Sequence, residues 1–281
     1  MPKIAYINSK YIKFNEAKIH IEDRGLQFAD SVYEVVAIYK KHLVDFDFHI
    51  KRLKYSLKEL LINFKVDKNK LKNIFNKLIS LNKINNGIIY LQITRGVQAR
   101  EHVYNNKLKS NIIIYARHKK FNLPNNEFKG EKAVTCEDLR WKRRDIKTVN
   151  LLPNIIAANF ASKHKAYEAI LIQNNKITEG TSSNIWIVKN KKLFTHPSNT
   201  DILKGITRET LRILIQQTKL KLLEKSFTKK QLFNADEVFL TSSGSCVTPI
   251  TKIDSKLING GKIGNITLNL AKLYSKSFMN E

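Results

Sequence analysis

The chain has 281 residues, a length that predicts two domains. Of these residues 42% are hydrophobic and 26% are charged, a composition that excludes a disordered protein and predicts a globular one. No apolar run approaches the roughly 18 residues of a transmembrane helix, and the first residues are strand-like, so we expect neither a membrane span nor a signal peptide. The two cysteines, Cys136 and Cys246, lie far apart and favour neither a disulfide framework nor a zinc site, so we expect a cytoplasmic protein.

The formal net charge of +26 raises the question of nucleic-acid binding. The lysines are spread from Lys3 to Lys276 without a long basic block, and no zinc-finger, RRM or KH pattern occurs. Asparagine and isoleucine are also abundant, as in chains from AT-rich genomes. We therefore predict a solvated basic surface that attracts anionic ligands, and no nucleic-acid partner.

The first part of the chain mixes strands with helices. Two stripes of apolar residues at helical spacing predict helices over residues 53–64 and 71–79. Enrichment in β-branched and aromatic residues predicts strands at 4–8, 33–39, 88–94 and 111–116.

A polar stretch at residues 118–126 contains proline, asparagine and charged residues, and it predicts the domain boundary. We therefore expect a smaller N-terminal domain, 1–120, and a larger C-terminal domain, 121–281. The second part has helical patterns at about 153–164 and 207–218, with strands at 133–136, 169–173, 185–188, 192–195 and 236–240. This mixture predicts an α+β protein with two sheets.

Two short segments are candidates for binding phosphate. Gly205 makes a turn into the helix that begins near Thr207, and free N–H groups at a helix start bind phosphate well. An ordinary helix cap explains the same pattern. The small hydroxyl residues at 241–245 follow a buried strand, and they also fit an ordinary loop.

Lys147 and Glu179 suggest a cofactor when they are taken together. A lysine amine forms a Schiff base with an aldehyde such as pyridoxal phosphate (PLP), and a carboxylate keeps the PLP pyridine nitrogen protonated. Neither residue alone carries the hypothesis in so lysine-rich a chain.

Arg100 and His102 alternate with Glu101, so in an extended segment both side chains point the same way. An arginine and a histidine on one face can bind a carboxylate. A solvated loop is the alternative reading of the same residues.

Across essentially its whole length the chain resembles the fold-type IV PLP-dependent enzymes, and among them the bacterial D-amino acid aminotransferases. The matching segments, in chain order, are DRGLQFADSVYEV at 23–35, DFDFHIKRL at 45–53, YLQITRG at 90–96, DIK at 145–147 and EGTSSN at 179–184. The resemblance implies the two-domain α+β fold of that family.

The resemblance also implies how the cofactor is held. Lys147 would form the Schiff base, Glu179 would pair with the pyridine nitrogen, and Leu203 would pack against the cofactor ring. The residues implied for the phosphate are Arg52, Ile206, Thr207 and Ser243.

The substrate side follows from the same resemblance. Tyr33, Arg100 and His102 would trap the substrate α-carboxylate, and because the family takes the arginine and histidine from the other subunit, a homodimer is implied. Ser31 stands where a glycine is common, and Gly244 replaces a hydroxyl residue, so we expect the pocket shape to differ from the family's.

The implied reaction is transamination between D-amino acids, such as D-alanine or D-glutamate, and 2-oxo acids, with Lys147 as general base. Branched-chain L-amino acid aminotransferase and aminodeoxychorismate lyase have the same fold and are the alternatives. A nucleic-acid-binding protein on a decayed enzyme scaffold is the alternative from another class, and the intact Lys147 and Glu179 argue against it.

Overall fold

The computed structural model describes residues 2–125 and 127–279, which form two compact units. The first unit comprises Met1–Lys120 and Ile146–Asn150, and the second comprises Phe121–Asp145 and Leu151–Glu281. Lys147 therefore belongs to the first unit. The division into domains at 120/121 stays a proposal, and Asn126, the last residue of the predicted boundary stretch, lies outside the described residues.

The first unit contains a six-stranded antiparallel sheet with the strand order β2-β1-β6-β5-β3-β4. Its strands are β1 (Ile4–Ile7), β2 (Lys10–Lys13), β3 (Ser31–Tyr39), β4 (His42–Leu43), β5 (Gly87–Thr94) and β6 (Asn111–His118). The four strands predicted in this part are confirmed as β1, β3, β5 and β6, whereas the short β2 and β4 were not predicted.

Three helices accompany this sheet, namely α1 (Arg24–Phe28), α2 (Phe46–Glu59) and α3 (Lys68–Leu81). The Asp67 carboxylate caps α3 by accepting the Lys70 N–H at 2.9 Å. The apolar stripes of α2 and α3 face the core, where Leu53 and Phe75 are 1% exposed, so both helices predicted from periodicity exist. The first begins earlier than predicted and ends at Glu59, so Leu60, Leu61 and Phe64 lie beyond it.

The second unit contains a nine-stranded mixed sheet with the order β12-β11-β10-β13-β14-β7-β8-β9, and β15 pairs with β14. Its strands are β7 (Glu131–Glu137), β8 (Glu168–Gln173), β9 (Lys176–Gly180), β10 (Asn184–Lys189), β11 (Lys192–Thr195), β12 (Lys221–Glu224), β13 (Glu237–Ser242), β14 (Cys246–Ile253) and β15 (Lys256–Leu257). The five strands predicted in this part are confirmed.

The helices of the second unit are α4 (Leu152–Lys163), α5 (Ile206–Ile215), α6 (Lys229–Phe233) and α7 (Asn265–Met279). The predicted helix at 207–218 begins one residue earlier in the structure and ends at Ile215. Trp186 is fully buried in the sheet and stacks on Phe239 with ring centroids 5.5 Å apart. Throughout residues 2–125 and 127–279, no helix has the length and apolarity needed to cross a membrane.

Candidate functional site

Lys147 lies on a short segment of the first unit that adds to β3. The Lys147 carbonyl accepts the Tyr33 N–H at 3.0 Å, and the Lys147 N–H donates to Ser56 Oγ at 3.1 Å. Thr148 forms an isolated antiparallel bridge with Val32. The Lys147 Nζ lies 4.1 Å from the centroid of the Tyr33 ring. Main chain and side chain together therefore fix the amine over an aromatic face.

Arg52 lies on α2 and is held by a buried carboxylate. Its Nε donates to Glu34 Oε1 at 2.8 Å and its Nη2 donates to Glu34 Oε2 at 2.7 Å. His49 Nδ1 lies 2.7 Å from the same Oε2. Burial alone would raise the pKa of Glu34, but the Arg52 guanidinium and the His49 ring outweigh burial and lower this pKa to about 2. Glu34 therefore fixes the guanidinium as an ionised partner.

Arg100 and His102 lie on the connection between β5 and β6. The expected extended segment is wrong, because residues 98–105 form bends and coil, not a strand. The two side chains nevertheless share a neighbour: Arg100 Cζ lies 5.0 Å from the centroid of the Phe28 ring, and the His102 and Phe28 ring centroids are 5.5 Å apart. Both residues are exposed, so an arginine and a histidine face solvent beside one aromatic ring.

In the second unit, Glu179 lies near the end of β9 and is 4% exposed. Its Oε2 accepts from Asn184 Nδ2 at 3.0 Å, both its oxygens lie 3.1 Å from the Leu203 nitrogen, and Arg140 forms an ion pair with it. Burial raises the pKa of Glu179, and the Arg140 charge and hydrogen bond oppose this rise. The carboxyl group is thus held by three donors from three separate parts of the chain.

Arg140, which lies just after β7, was not among the predicted site residues. Its Nε donates to Asp138 Oδ1 at 2.9 Å and its Nη2 to Asp138 Oδ2 at 2.7 Å. Thr178 Oγ1 donates to Asp138 Oδ2 at 2.6 Å. Burial alone would raise the pKa of Asp138, but hydrogen bonding and charge from Arg140 lower it. The signal in the sequence is an aspartate and an arginine two residues apart at the end of a buried strand.

Leu203 and Gly205 form the turn that leads into α5. The Leu203 carbonyl accepts from Asn184 Nδ2 at 2.9 Å, so the Asn184 amide bridges this turn to Glu179. Gly205 is the N-cap of α5, and a Cβ atom added there would collide with Asn184 Oδ1. The turn therefore requires glycine for close approach, since its φ of −67° is available to any residue.

The first residues of α5 are Ile206 and Thr207, which are 4% and 1% exposed. The first N–H groups of a helix have no acceptor within the helix and lie at its positive end. The Thr207 Oγ1 lies 3.3 Å from the Tyr274 hydroxyl. Ser243 lies in the turn between β13 and β14, where Ser242 Oγ and Ser245 Oγ are 2.7 Å apart.

These residues fit PLP chemically. The first unit supplies a lysine amine for the aldehyde, and the second supplies a buried carboxyl group for the pyridine nitrogen. The helix start behind Gly205, where an added Cβ would collide with Asn184, leaves the backbone bare for a phosphate. The predicted residues divide between the two units: Tyr33, Arg52, Arg100, His102 and Lys147 lie in the first, and Glu179, Leu203, Ile206, Thr207 and Ser243 lie in the second. Direct contacts join Tyr33 to Lys147 and Glu179 to Leu203.

Comparison with known proteins places the chain in a family. Residues 31–253 match the model of the family described as amino-transferase class IV. The chain is 40% identical over 275 residues to the D-alanine aminotransferase of Bacillus licheniformis, covering 98% of this chain and 96% of that protein. It is 37% identical over 273 residues to the D-alanine aminotransferase of Staphylococcus haemolyticus, covering 96% of each.

A solved structure has the same fold. The branched-chain amino acid aminotransferase of Escherichia coli matches with a TM-score of 0.89 at 23% identity, over 100% of this chain and 94% of that one. At that identity the likeness shows the fold alone, and it confirms the predicted two-domain α+β architecture of fold-type IV. With the family model matching residues 31–253, the chain belongs to the class IV aminotransferases.

Proposed function

We propose that this class IV aminotransferase transfers amino groups between D-amino acids and 2-oxo acids with PLP as its cofactor, as a D-alanine aminotransferase. The observation that carries the proposal is 40% identity to a D-alanine aminotransferase over 98% of the chain. The pairing of Arg100 and His102 beside Phe28 supports the D-amino acid assignment. The alternatives on the same fold are transamination of branched-chain L-amino acids and the lyase reaction of aminodeoxychorismate.

In the proposed site each polar group has one task toward the cofactor. Glu179, whose carboxyl group is oriented by Asn184, Leu203 N–H and Arg140, would keep a proton on the pyridine nitrogen. The residues that would hold the phosphate are Arg52, Ile206 and Thr207 at the start of α5, and Ser243. Leu203 would pack against the ring. Bound PLP supplies an electron sink for the electron pair that remains when the substrate Cα–H bond breaks.

Lys147 would hold the cofactor aldehyde. As a free amine it would act as the general base that takes up the substrate Cα proton. The Tyr33 ring beneath Nζ, at 4.1 Å, and the main-chain bond between the same two residues restrict where this proton transfer takes place. The face of the substrate that Lys147 meets decides which stereoisomer reacts.

The substrate is oriented through its α-carboxylate. The Tyr33 hydroxyl, the Arg100 guanidinium and the His102 ring supply donors for it, and a charged bidentate contact from arginine fixes a carboxylate more tightly than a single donor. The fixed carboxylate would decide which face of Cα meets Lys147, and the proposal is that this face carries the Cα–H bond of a D-amino acid.

The proposal includes a homodimer in which Arg100 and His102 serve the site of the other subunit. One exposed apolar surface supports self-association: α4 carries Leu152, Ile155, Ile156 and Phe160, which are 70%, 52%, 61% and 39% exposed. Contiguous exposed apolar side chains of this kind mark interaction surfaces. We also propose that the protein is located in the cytoplasm.

A substrate panel tests the activity. The purified protein, supplied with PLP, is assayed with D-alanine and 2-oxoglutarate, with L-leucine and 2-oxoglutarate, and with aminodeoxychorismate. We expect the highest kcat/KM with D-alanine and no turnover by Lys147→Ala, whereas Lys142→Ala, which changes an exposed lysine five residues away, keeps its activity. A higher kcat/KM with L-leucine or with aminodeoxychorismate contradicts the D-amino acid assignment.

A further inference from the structure

Arg24, the first residue of α1, binds the backbone of the loop that carries Arg100 and His102. Its Nη1 donates to the Glu101 carbonyl oxygen at 2.6 Å, and its Nη2 donates to the His102 carbonyl oxygen at 3.2 Å. The Arg24 side chain is 4% exposed, although the residues it binds are exposed. A buried guanidinium therefore satisfies two consecutive carbonyl groups in a segment that has no strand partner for them.

The other edge of the Arg24 guanidinium is fixed by Asp30. Arg24 Nε donates to Asp30 Oδ2 at 2.9 Å. Arg95 donates to both oxygens of the same carboxylate, at 2.7 and 2.9 Å. Main-chain bonds reinforce the arrangement, because the Arg24 N–H donates to the Gly96 carbonyl at 2.9 Å and the Arg24 carbonyl accepts the Asp30 N–H at 3.2 Å. Arg24 thus has little freedom to move.

Phe28 joins Arg24 to the side chains of the loop. Arg24 Cζ lies 4.7 Å from the centroid of the Phe28 ring, and Arg100 Cζ lies 5.0 Å from it. The His102 ring centroid is 5.5 Å away from the same point. One turn of α1, from Arg24 to Phe28, therefore positions two parts of the loop. Arg24 holds the backbone of residues 101 and 102, and Phe28 contacts the side chains of Arg100 and His102.

We infer that Arg24 is a positioning residue for the substrate carboxylate trap, acting through Arg100 and His102 by holding the carbonyl groups of Glu101 and His102. The inference rests on the proposed function, in which Arg100 and His102 bind the carboxylate. Arg24 itself is buried and touches no substrate. A lysine at this position has one nitrogen and cannot reach both carbonyl groups and Asp30 in the fixed fork geometry of a guanidinium.

A double-mutant cycle tests whether Arg24 acts through Arg100. Arg24→Met, Arg100→Met and the double variant are prepared as holoenzymes, with Arg24→Lys as a milder variant in case Arg24→Met folds poorly. We expect Arg24→Met to raise KM for D-alanine about tenfold and to change kcat by less than about threefold, since binding and not chemistry is disturbed. In the Arg100→Met background the same change should raise KM by clearly less, about threefold, because only His102 remains of the two groups through which Arg24 acts.

A substrate without a carboxylate provides the second readout. The rate of the first half-reaction is followed by cofactor absorbance with D-alanine and with ethylamine. We expect Arg24→Met to lower the second-order rate constant for D-alanine about tenfold and to leave that for ethylamine within about twofold of the wild type. A general structural loss would lower both rates together.

Arg95→Met is the comparison variant, because Arg95 is also buried on Asp30 and its other hydrogen bonds go to the carbonyl groups of Leu60 and Leu61. Its guanidinium meets the loop at the Tyr104 ring, whose centroid lies 3.6 Å from Cζ, and not at the carbonyl groups of Glu101 and His102. Equal KM effects of Arg24→Met and Arg95→Met, or an Arg24→Met effect that persists unchanged in the Arg100→Met background, overturn the inference and leave the proposed function standing. If Arg100→Met does not raise KM for D-alanine, the carboxylate trap itself is wrong and the inference falls with it.

Discussion

Lys147 and Tyr33 are linked twice in the first unit, through a main-chain hydrogen bond of 3.0 Å from the Tyr33 N–H to the Lys147 carbonyl and through Nζ, 4.1 Å above the Tyr33 ring. The bond is possible because Lys147 belongs to a short segment that joins β3 in the first unit, although the residues on either side of that segment belong to the second. The ring and the hydroxyl group of Tyr33 therefore have separable tasks: the ring positions the amine, and the hydroxyl is proposed to bind substrate.

Two substitutions at Tyr33 separate these tasks. Tyr33→Phe keeps the ring, so we expect KM for D-alanine to rise about three- to tenfold with kcat within about threefold of the wild type. Tyr33→Leu also removes the ring that lies 4.1 Å from Nζ, so Lys147 is no longer positioned and kcat should fall further, by about tenfold. Steady-state kinetics checks both variants. Equal kcat values for the two would show that the ring does not position Lys147.

Arg140 is expected to control the ionisation of Glu179. Burial raises the pKa of Glu179 and Arg140 opposes the rise, so Arg140→Met should raise this pKa further. If activity requires the ionised carboxylate, the acidic limb of the pH profile of kcat/KM moves to higher pH in this variant. Arg117→Met removes an exposed positive charge and should leave the profile in place. An unshifted limb in Arg140→Met would argue against this role.

The sequence predicted the elements well and the buried polar contacts poorly, for a physical reason. Hydrophobic periodicity is local, so α2, α3 and most central strands could be predicted, and the Gly205 turn indicated a helix start. The pairs Arg140–Glu179 and Arg52–Glu34 join residues 39 and 18 positions apart, and only the fold brings their charges together. The alternation of Arg100, Glu101 and His102 suggested an extended segment. That prediction is wrong, because β5 ends at Thr94 and residues 98–105 contain no strand.

The turn at Gly205 should tolerate no side chain. Gly205→Ala places a Cβ against Asn184 Oδ1, and the Asn184 amide is held by bonds to Glu179 at 3.0 Å and to the Leu203 carbonyl at 2.9 Å. We expect roughly tenfold weaker PLP binding, measured by absorbance titration of the apoenzyme. Asn184→Ala removes the amide oxygen with which the new Cβ would collide. In that background Gly205→Ala should therefore weaken PLP binding much less. Additive losses in the double variant would exclude the clash as the cause.

The apolar face of α4 is expected to be covered by a second copy of the chain. Ile156→Lys places a charge in that face, where Ile156 is 61% exposed and Ile155 is 52% exposed. We expect the mass in solution, measured by light scattering, to fall from that of a dimer to that of a monomer. Ser162→Lys changes an exposed residue near the end of the same helix and should leave the dimer intact. A wild-type monomer at micromolar concentration contradicts the homodimer.

Glu34 should make the stability of the protein depend on acid pH. Its pKa is about 2 in the folded protein against the ordinary 4.5, because Arg52 and His49 outweigh the effect of burial. A carboxyl group whose folded pKa is lowered stabilises the fold above its unfolded pKa, and this contribution is lost as the pH falls from 4.5 towards 2. At 1.36 kcal/mol per pKa unit, the loss over that window is roughly 3 kcal/mol.

Glu34→Gln should remove the acid-pH dependence of stability that Glu34 causes, and it should also lower the stability near neutral pH. The variant removes the negative charge of Glu34 from beside the buried Arg52 guanidinium, so we expect a loss of about 3–5 kcal/mol in the free energy of unfolding near neutral pH. Below pH 4.5 the gap between variant and wild type should narrow, because protonation removes the same charge from the wild type. Asp47→Asn breaks an ion pair with Lys68 of similar length, 2.8 Å, whose side chains are 73% and 47% exposed, and should cost less than about 1 kcal/mol. Urea unfolding at several pH values measures all three proteins, and a gap that stays constant with pH would show that ionised Glu34 contributes nothing to stability.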